Sequence, residues 1–125
     1  MELTPIEVLA VAGNESTYGT SKFATQFGNF FGLHGNGPAG TYYTPTNHVP
    51  VMMFPVQNSF LISGNVFVGR VGGFLKPGMG TNPQQFFSIL NHHGYATGNS
   101  GYANYMTGKN GPYSLVNNCL DGGAQ

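Results

Sequence analysis

The sequence contains very little charge for its length. Its 125 residues include four Lys or Arg and four Asp or Glu, which is 6% of the chain, and the formal net charge is zero. Charged residues make up about 25% of a typical soluble domain. Nucleic acids and anionic membranes are bound through clusters of Lys and Arg, whereas the four cations here are scattered. We therefore expect no nucleic-acid partner and no binding to an anionic membrane surface.

Cysteine and long apolar runs are scarce as well. Cys119 is the one cysteine, so an internal disulfide is excluded and the redox compartment stays open. No apolar run approaches the roughly 20 residues that cross a bilayer. The chain begins Met1-Glu2 without the basic and apolar segments of a signal peptide. These absences predict a soluble chain without membrane insertion, and its length predicts a single domain over residues 1–125.

Acidic side chains are so few that they limit the possible chemistry. They are Glu2, Glu7, Glu15 and Asp121, and residues 16–120 contain none. Any reaction that needs a carboxylate must use one of these four. Metal binding is not expected, because adjacent residues such as His92 and His93 point about 100° apart on a helix, and no Cys or carboxylate lies at ligand spacing. No cofactor is expected either.

Aromatic and small polar residues are abundant by contrast. Ten Phe and seven Tyr, within a hydrophobic content of 40%, supply enough apolar material for a core and argue against a disordered chain. The 20 Gly, with many Asn, Thr and Ser, predict a surface of amides, hydroxyls and backbone groups. Such a surface suits neutral ligands rich in hydroxyl groups, such as sugars, better than charged ones.

Capping signals and hydrophobic spacing predict a mainly helical α+β fold with a small β-hairpin. Thr4, Pro5 and Glu7 form an N-cap, a first helical residue and a capping box, and Ile6, Leu9, Ala10 and Gly13 are expected to face the core. The helix so begun extends to about Glu15. The other predicted helices span residues 22–26, 56–71, 82–90 and 101–106; a hairpin lies within 41–54, with its turn near 47–48; an irregular tail starts at 108.

Three short motifs follow one another along the chain. They are Glu-Ser-Thr-Tyr-Gly-Thr-Ser at 15–21, Asn-Phe-Phe-Gly-Leu-His-Gly at 29–35, and Gly-Tyr-Ala-Thr at 94–97 followed by Tyr102-Ala103. In this order they resemble the β-N-acetylglucosaminidase family of peptidoglycan hydrolases, glycoside hydrolase family 73, which includes the flagellar muralytic enzyme and many autolysins. The resemblance covers about residues 8–105. It implies a lysozyme-like fold and cleavage of the glycan strand after N-acetylglucosamine.

The resemblance also assigns roles to individual residues. Glu15 matches the catalytic acid, and its neighbours Leu9, Val11, Ala12 and Tyr18 are the apolar kind that raises a Glu pKa for this task. Tyr95 and Tyr102 match positions where an aromatic ring packs on sugar, although core packing is the commoner role of such rings. Phe30, Phe31 and Gly32 are expected to form the wall beside Glu15, and for Phe31, which matches the family's Phe, a structural role is favoured. Candidate substrate-binding residues are Tyr18, Asn29, Phe31, Asn47, Tyr95 and Tyr102; for Asn29, hydrogen bonds to backbone remain an equal alternative.

One departure from the family bears on mechanism. Many relatives carry a second carboxylate in the hairpin, where this sequence has Thr44-Pro45-Thr46-Asn47. Two routes stay open. The substrate's own 2-acetamido group attacks the anomeric carbon, which we favour, or water is held by groups such as Tyr95, Thr46 or Asn47. Two other functions also stay open, namely cleavage of the other glycan bond by a muramidase and binding of peptidoglycan without catalysis.

We infer the expected biological setting from features that the sequence lacks. The chain shows no wall-binding repeats, no export signal and no basic arm. A minimal wall hydrolase of this kind resembles a toxin injected into the periplasm of a rival bacterium, such as a type VI secretion effector; a phage lysin and a housekeeping hydrolase stay open as alternatives. That resemblance implies two partners, the peptidoglycan glycan strands and a small cognate immunity protein.

Overall fold

The computed structural model describes residues 5–72, 82–96 and 99–122, with side chains up to Cys119. In these ranges it contains six helices and one antiparallel pair of strands, which confirms the mainly helical α+β class. In chain order the elements are α1 (Pro5–Ser16), α2 (Lys22–Phe27), β1 (Gly40–Tyr43), β2 (Pro50–Met53), α3 (Ser59–Gly72), α4 (Pro83–His92), α5 (Tyr102–Thr107) and α6 (Pro112–Gly122). None of the described helices has the length and apolar character needed to cross a bilayer.

The chain divides into two compact units. One comprises residues 12–69, and the other comprises residues 1–11 and 70–125. The first unit contains the end of α1, then α2, the hairpin and most of α3. The second contains the start of α1, the end of α3 and helices α4 to α6.

The hairpin in the first unit confirms the predicted turn. β1 and β2 pair from Gly40 with Met53 to Tyr43 with Pro50. Thr44 closes the loop: its backbone N–H donates to Val49 O at 3.0 Å, and its Oγ1 accepts from Val49 N at 2.9 Å. His48 has φ +51°. Its N–H donates to Thr44 O. The hairpin therefore turns through residues 45–48, as the sequence predicts.

Of the two helices that begin in the first unit, α2 begins and ends at the predicted signals, whereas α3 does not begin where predicted. Ser21 caps α2, because its side chain accepts from Ala24 N, and Gly28 ends the helix with φ +66°. α3 begins three residues later than predicted. Asn58 immediately before it has φ +60°, a left-handed conformation that Asn tolerates and that a helix excludes. Phe31 and Phe67 are fully buried in the core of this unit and stack at 4.8 Å between ring centroids.

The second unit is built on α4 and the two helices after it. Asn82 caps α4 through a bond from Gln85 N, with Pro83 at the first helical position. The buried side chains of α4 and α5 are Phe86, Phe87, Leu90, Tyr102, Ala103 and Met106. The irregular tail predicted from residue 108 is wrong, because α6 runs through it. Gly111 and Pro112 indicated a loop, but Pro is well tolerated at the first position of a helix.

The buried face of α1 also differs from the prediction. Ala10 and Gly13 are buried as expected, while Leu9 is exposed and Ile6 only half-buried. Glu7, with 3% of its surface exposed, is buried in their place. Hydrophobic spacing gives no weight to a carboxylate, so this burial was missed. The predicted cap, Thr4, lies outside the described residues.

Candidate functional site

Glu15 lies in the last turn of α1, directly before a sharp reversal of the chain. Ser16 ends the helix, because its Oγ donates to Ala12 O at 2.5 Å and accepts from Gly19 N at 2.9 Å. Thr17 and Tyr18 then adopt φ of +50° and +52°. Such left-handed residues cost roughly 1–2 kcal/mol each without glycine, and strain of this kind is concentrated at functional sites.

Tyr18 folds back over the helix that precedes it. Its backbone N–H donates to Gly13 O at 2.8 Å. A Cβ placed on Gly13 would lie 2.7 Å from Tyr18 Cε1, so glycine is required for the ring to lie there. The side chain of Tyr18 is nevertheless 54% exposed. An exposed aromatic side chain three residues from Glu15 is suited to packing on a sugar ring, and this role for Tyr18 stays a prediction.

The backbone of Gly32 approaches the Glu15 carboxyl group closely. A Cβ on Gly32 would lie 2.6 Å from Glu15 Oε2 and 3.3 Å from Cδ, and Gly32 has φ +62°. The left-handed conformation favours glycine at this position, and a side chain here would displace the Glu15 carboxyl. The prediction that Gly32 lies beside Glu15 is confirmed, and the group that approaches the carboxyl here is backbone.

Burial sets the protonation of Glu15. The side chain is half-buried, and removal of its carboxyl from water raises its pKa above the ordinary value of 4.5. Among the described residues, the carboxyl group makes no hydrogen bond or ion pair that would favour its charged form. Glu15 therefore has the environment of a carboxylic acid that keeps its proton to higher pH than an exposed Glu.

A cluster of aromatic rings supports the segment that carries Gly32. Phe30 meets Phe60 edge to face at 5.3 Å between centroids, and Phe31 lies between Phe60 at 5.8 Å and Phe67 at 4.8 Å. Phe31 is fully buried. This corrects its place among the substrate-binding candidates, because a ring without exposed surface supports the site from within the core.

Asn29 is likewise part of the scaffold. Its side chain is 1% exposed. Its Nδ2 donates to Leu33 O at 2.9 Å and to Met52 O at 3.0 Å, and its Oδ1 accepts from Leu33 N at 3.0 Å and Phe31 N at 3.4 Å. These bonds use the amide's donors and acceptor on backbone groups. Of the two alternatives for Asn29, the structure shows hydrogen bonds to the backbone. The prediction that Asn29 contacts substrate is corrected accordingly.

Asn47 lies at the tip of the hairpin, next to Thr46. Both side chains are exposed, since the four-residue loop is closed beneath them by Thr44 and Val49. An exposed amide and an exposed hydroxyl at a loop tip are accessible to a ligand or to water. Their part in holding a water molecule or a sugar stays a prediction.

The two tyrosines of the third motif lie in the second unit and differ in burial. Tyr95 is half-buried; Asn91 Nδ2 fixes its loop by donating to Tyr95 O at 2.7 Å and Ala96 O at 3.0 Å. Tyr102 is 1% exposed and packs edge to face on Phe87 at 6.0 Å. Tyr102 is therefore a core residue, which corrects the predicted sugar contact. Thr97 lies outside the described residues, and a role for Tyr95 on sugar stays a prediction.

One polar contact was not anticipated from the sequence. Lys22 Nζ lies 3.3 Å from Tyr42 Oη and 4.9 Å from the centre of the same ring, which is a favourable arrangement of a cation on an aromatic face. Twenty residues separate the two positions, and no motif links them.

A metal site would need several ligating side chains close together. The described residues bring no three His, Cys, Asp or Glu side chains together. That the protein needs no metal stays a prediction.

Comparisons with known proteins give one informative likeness. No family model matches the sequence, and no curated protein matches it. A chain of a solved structure, described as a type VI secretion system effector-immunity complex from Pseudomonas protegens, is similar to this chain with a TM-score of 0.67 and 27% sequence identity. The similarity covers 94% of this chain and 75% of that one. This chain thus shares its fold with a component of that complex.

Proposed function

We propose that this chain is a glycosidase that hydrolyses the β-1,4 bond after N-acetylglucosamine in bacterial peptidoglycan, with Glu15 as general acid. The observation that carries the proposal is the Glu15 carboxyl itself, half-buried beside Gly32 with its pKa raised by desolvation. Glycoside cleavage needs an acid that still holds its proton near the working pH, and burial supplies one. The three motifs that resemble the glucosaminidase family support the choice of substrate.

The proposed reaction uses one carboxyl group twice. Glu15 gives its proton to the glycosidic oxygen as the bond from that oxygen to C1 breaks, and the carbonyl oxygen of the substrate's 2-acetamido group bonds to C1. The bond between this oxygen and C1 closes a five-membered ring on the sugar. Water then attacks C1 and reopens that ring, while the Glu15 carboxylate takes the water's proton and regains its starting form. This route is favoured because residues 16–120 contain no Asp or Glu, whereas the common mechanisms need a second carboxylate.

We further propose that the hydrolase is a bacterial toxin delivered to other cells. The solved structure to which this chain is similar is a type VI secretion system effector-immunity complex. In the same role, this chain would act on the peptidoglycan strand in the periplasm of the recipient cell. Its second partner would be a cognate immunity protein that protects the producing cell.

Loss of the acid tests the catalytic proposal. Glu15→Gln keeps the size and polarity of the side chain but holds no transferable proton, so wall lysis should fall by about 10²–10⁴-fold. Turbidity of purified peptidoglycan measures the rate, and mass spectrometry of the new reducing ends identifies the bond. Ends in N-acetylglucosamine are expected, and near-normal lysis by Glu15→Gln would refute the role of Glu15.

Glu7→Gln is the matched control. It makes the same chemical change at another carboxyl of α1 and should retain lysis wherever thermal unfolding shows that the variant is folded. Reducing ends in N-acetylmuramic acid would instead identify a muramidase. Release of no fragments by the parent protein, together with retention on peptidoglycan in a pull-down, would favour binding without catalysis.

A further inference from the structure

The backbone segment beside Glu15 is held from both sides of Gly32. Asn29 Oδ1 accepts from the N–H groups of Phe31 and Leu33, the residues that flank Gly32. Asn29 Nδ2 donates to the carbonyl of Leu33 and, across to β2, to the carbonyl of Met52. Met52 N also donates to Leu33 O at 3.0 Å. One buried amide therefore fixes the path of residues 31–33 and anchors it to the hairpin.

That path decides how closely backbone approaches the Glu15 carboxyl. Gly32 reaches it with φ +62° and with no Cβ, and the space that a Cβ would fill lies 2.6 Å from Oε2. Residues 28–33 and the last turn of α1 contain no titratable group other than Glu15; the nearest along the chain are His34, directly after this segment, then Tyr18 and Lys22. The position of the 31–33 segment, rather than a neighbouring charge, thus controls the exposure of this carboxyl to water.

From these contacts we infer that Asn29 is a positioning residue, which acts through Gly32 to keep the Glu15 carboxyl enclosed. The inference rests on the proposed function where it concerns catalysis, but the enclosure of Glu15 is measurable without any activity. Loosening the segment admits water to the carboxyl and favours its charged form, because desolvation is what disfavours that form. The raised pKa of Glu15 would then move back towards its ordinary value.

The test follows the protonation of Glu15 directly. Glu2, Glu7 and Glu15 are the only glutamates in the chain, so protein labelled with 13C at the Glu carboxyl carbon gives three signals, and Glu15→Gln identifies one of them. In Asn29→Ser, which shortens the side chain and removes its amide, the Glu15 midpoint should fall by about half a pH unit or more. The alkaline limb of the lysis rate should shift to lower pH by the same amount.

Two further variants keep the test decisive. Gly32→Ala leaves the Asn29 amide in place but inserts a Cβ that would lie 2.6 Å from Glu15 Oε2. The Glu15 side chain must then swing its carboxyl away from the segment towards water, so its midpoint should also fall. Gly32→Ala replaces Asn29→Ser if that variant does not fold. Asn91→Ser removes an amide that bonds to two backbone carbonyls in the other unit, and the Glu15 midpoint should stay unchanged.

The outcomes separate this inference from the proposed function. A folded Asn29→Ser or Gly32→Ala protein with an unchanged Glu15 midpoint would overturn the positioning role, whatever its lytic rate. A lowered midpoint in a protein that cleaves no glycan would support the positioning role and contradict the glycosidase proposal. A lowered midpoint with a matching shift in the rate profile supports both.

Discussion

At the scale of single residues, the main feature is a carboxyl group whose surroundings favour its neutral form. Backbone at Gly32 lies so close to this carboxyl that a Cβ there would meet it, and Asn29 bonds to the backbone on both sides of Gly32. The arrangement has a cost, because a group that is partly removed from water is harder to ionise in the folded chain than in the unfolded one. Stability and the proposed activity therefore depend on the same carboxyl in opposite directions.

This cost predicts how stability changes with pH. Since the pKa of Glu15 is raised in the folded state, the folded chain holds this proton more tightly than the unfolded chain. The contribution of Glu15 to stability is full below the ordinary pKa of 4.5 and is lost as pH rises through the raised value. Glu15→Gln, which cannot ionise, should gain stability relative to the parent protein over that window.

Thermal unfolding of both proteins at about pH 4 and about pH 8 checks this sign. The difference in Tm should favour Glu15→Gln more at the higher pH. A difference that stays constant between the two conditions would show that ionisation of Glu15 costs the folded state nothing. The same measurement shows whether the variant used in the lysis assay is folded.

At the scale of elements, the junction between α5 and α6 is held by close backbone packing and by hydrogen bonds to one carbonyl. Ser114 Oγ donates to Gly108 O at 2.7 Å, and Gly111 N donates to the same carbonyl at 2.9 Å. Gly111 is buried against the end of α5: a Cβ there would overlap Tyr105 O and lie 2.8 Å from Met106 O. The turn between the helices therefore depends on the absence of a side chain at one position.

Gly111→Ala should consequently destabilise the protein by about 2 kcal/mol or more, because the added methyl group meets backbone carbonyls that cannot rotate away. Gly69→Ala is the matched control, since Gly69 lies within α3 and a Cβ there meets nothing within 4 Å. This control should gain about 0.5–1 kcal/mol from the helix propensity of Ala. Urea unfolding measures both changes, and equal stability of the two variants would contradict the packing described.

At the scale of the whole molecule, the balance of charge and the likeness to a known complex both agree with the proposed function, a toxin that acts on a sugar strand. Eight formal charges that sum to zero give the surface little electrostatic attraction to polyanions. Recognition of a neutral sugar strand through amides, hydroxyls and aromatic rings needs no such attraction. The structural likeness to a component of an effector-immunity complex is the observation behind the proposed toxin role.

Toxicity should therefore depend on the compartment that the protein reaches. Directed to the periplasm of a test bacterium, the parent chain should lyse the cells, because its proposed substrate lies there. Kept in the cytoplasm, the same chain should be harmless, and periplasmic Glu15→Gln should also be harmless. Viable counts after induction measure these outcomes, and equal survival with the parent chain in both compartments would contradict the toxin role.

The sequence by itself determined the features that depend on neighbours a few residues away. Ser21 and Asn82 signal helix starts because a side-chain oxygen reaches an N–H three residues on, and the hairpin turn follows from residues 44–49. Scarcity of carboxylates, combined with the first motif, singled out Glu15. These inferences need no knowledge of what packs against the chain.

Only the tertiary structure decided which side chains are buried and what they bond. Asn29 bonds to Met52, 23 residues away, and Glu7 is buried in α1 while Leu9 is exposed. Tyr102 and Phe31 are core residues, whereas the sequence left a sugar contact open for both. Motifs give residue types in order, but an amide or an aromatic ring suits a ligand and a core equally well. The choice between them is made by burial, which depends on contacts between residues distant in sequence.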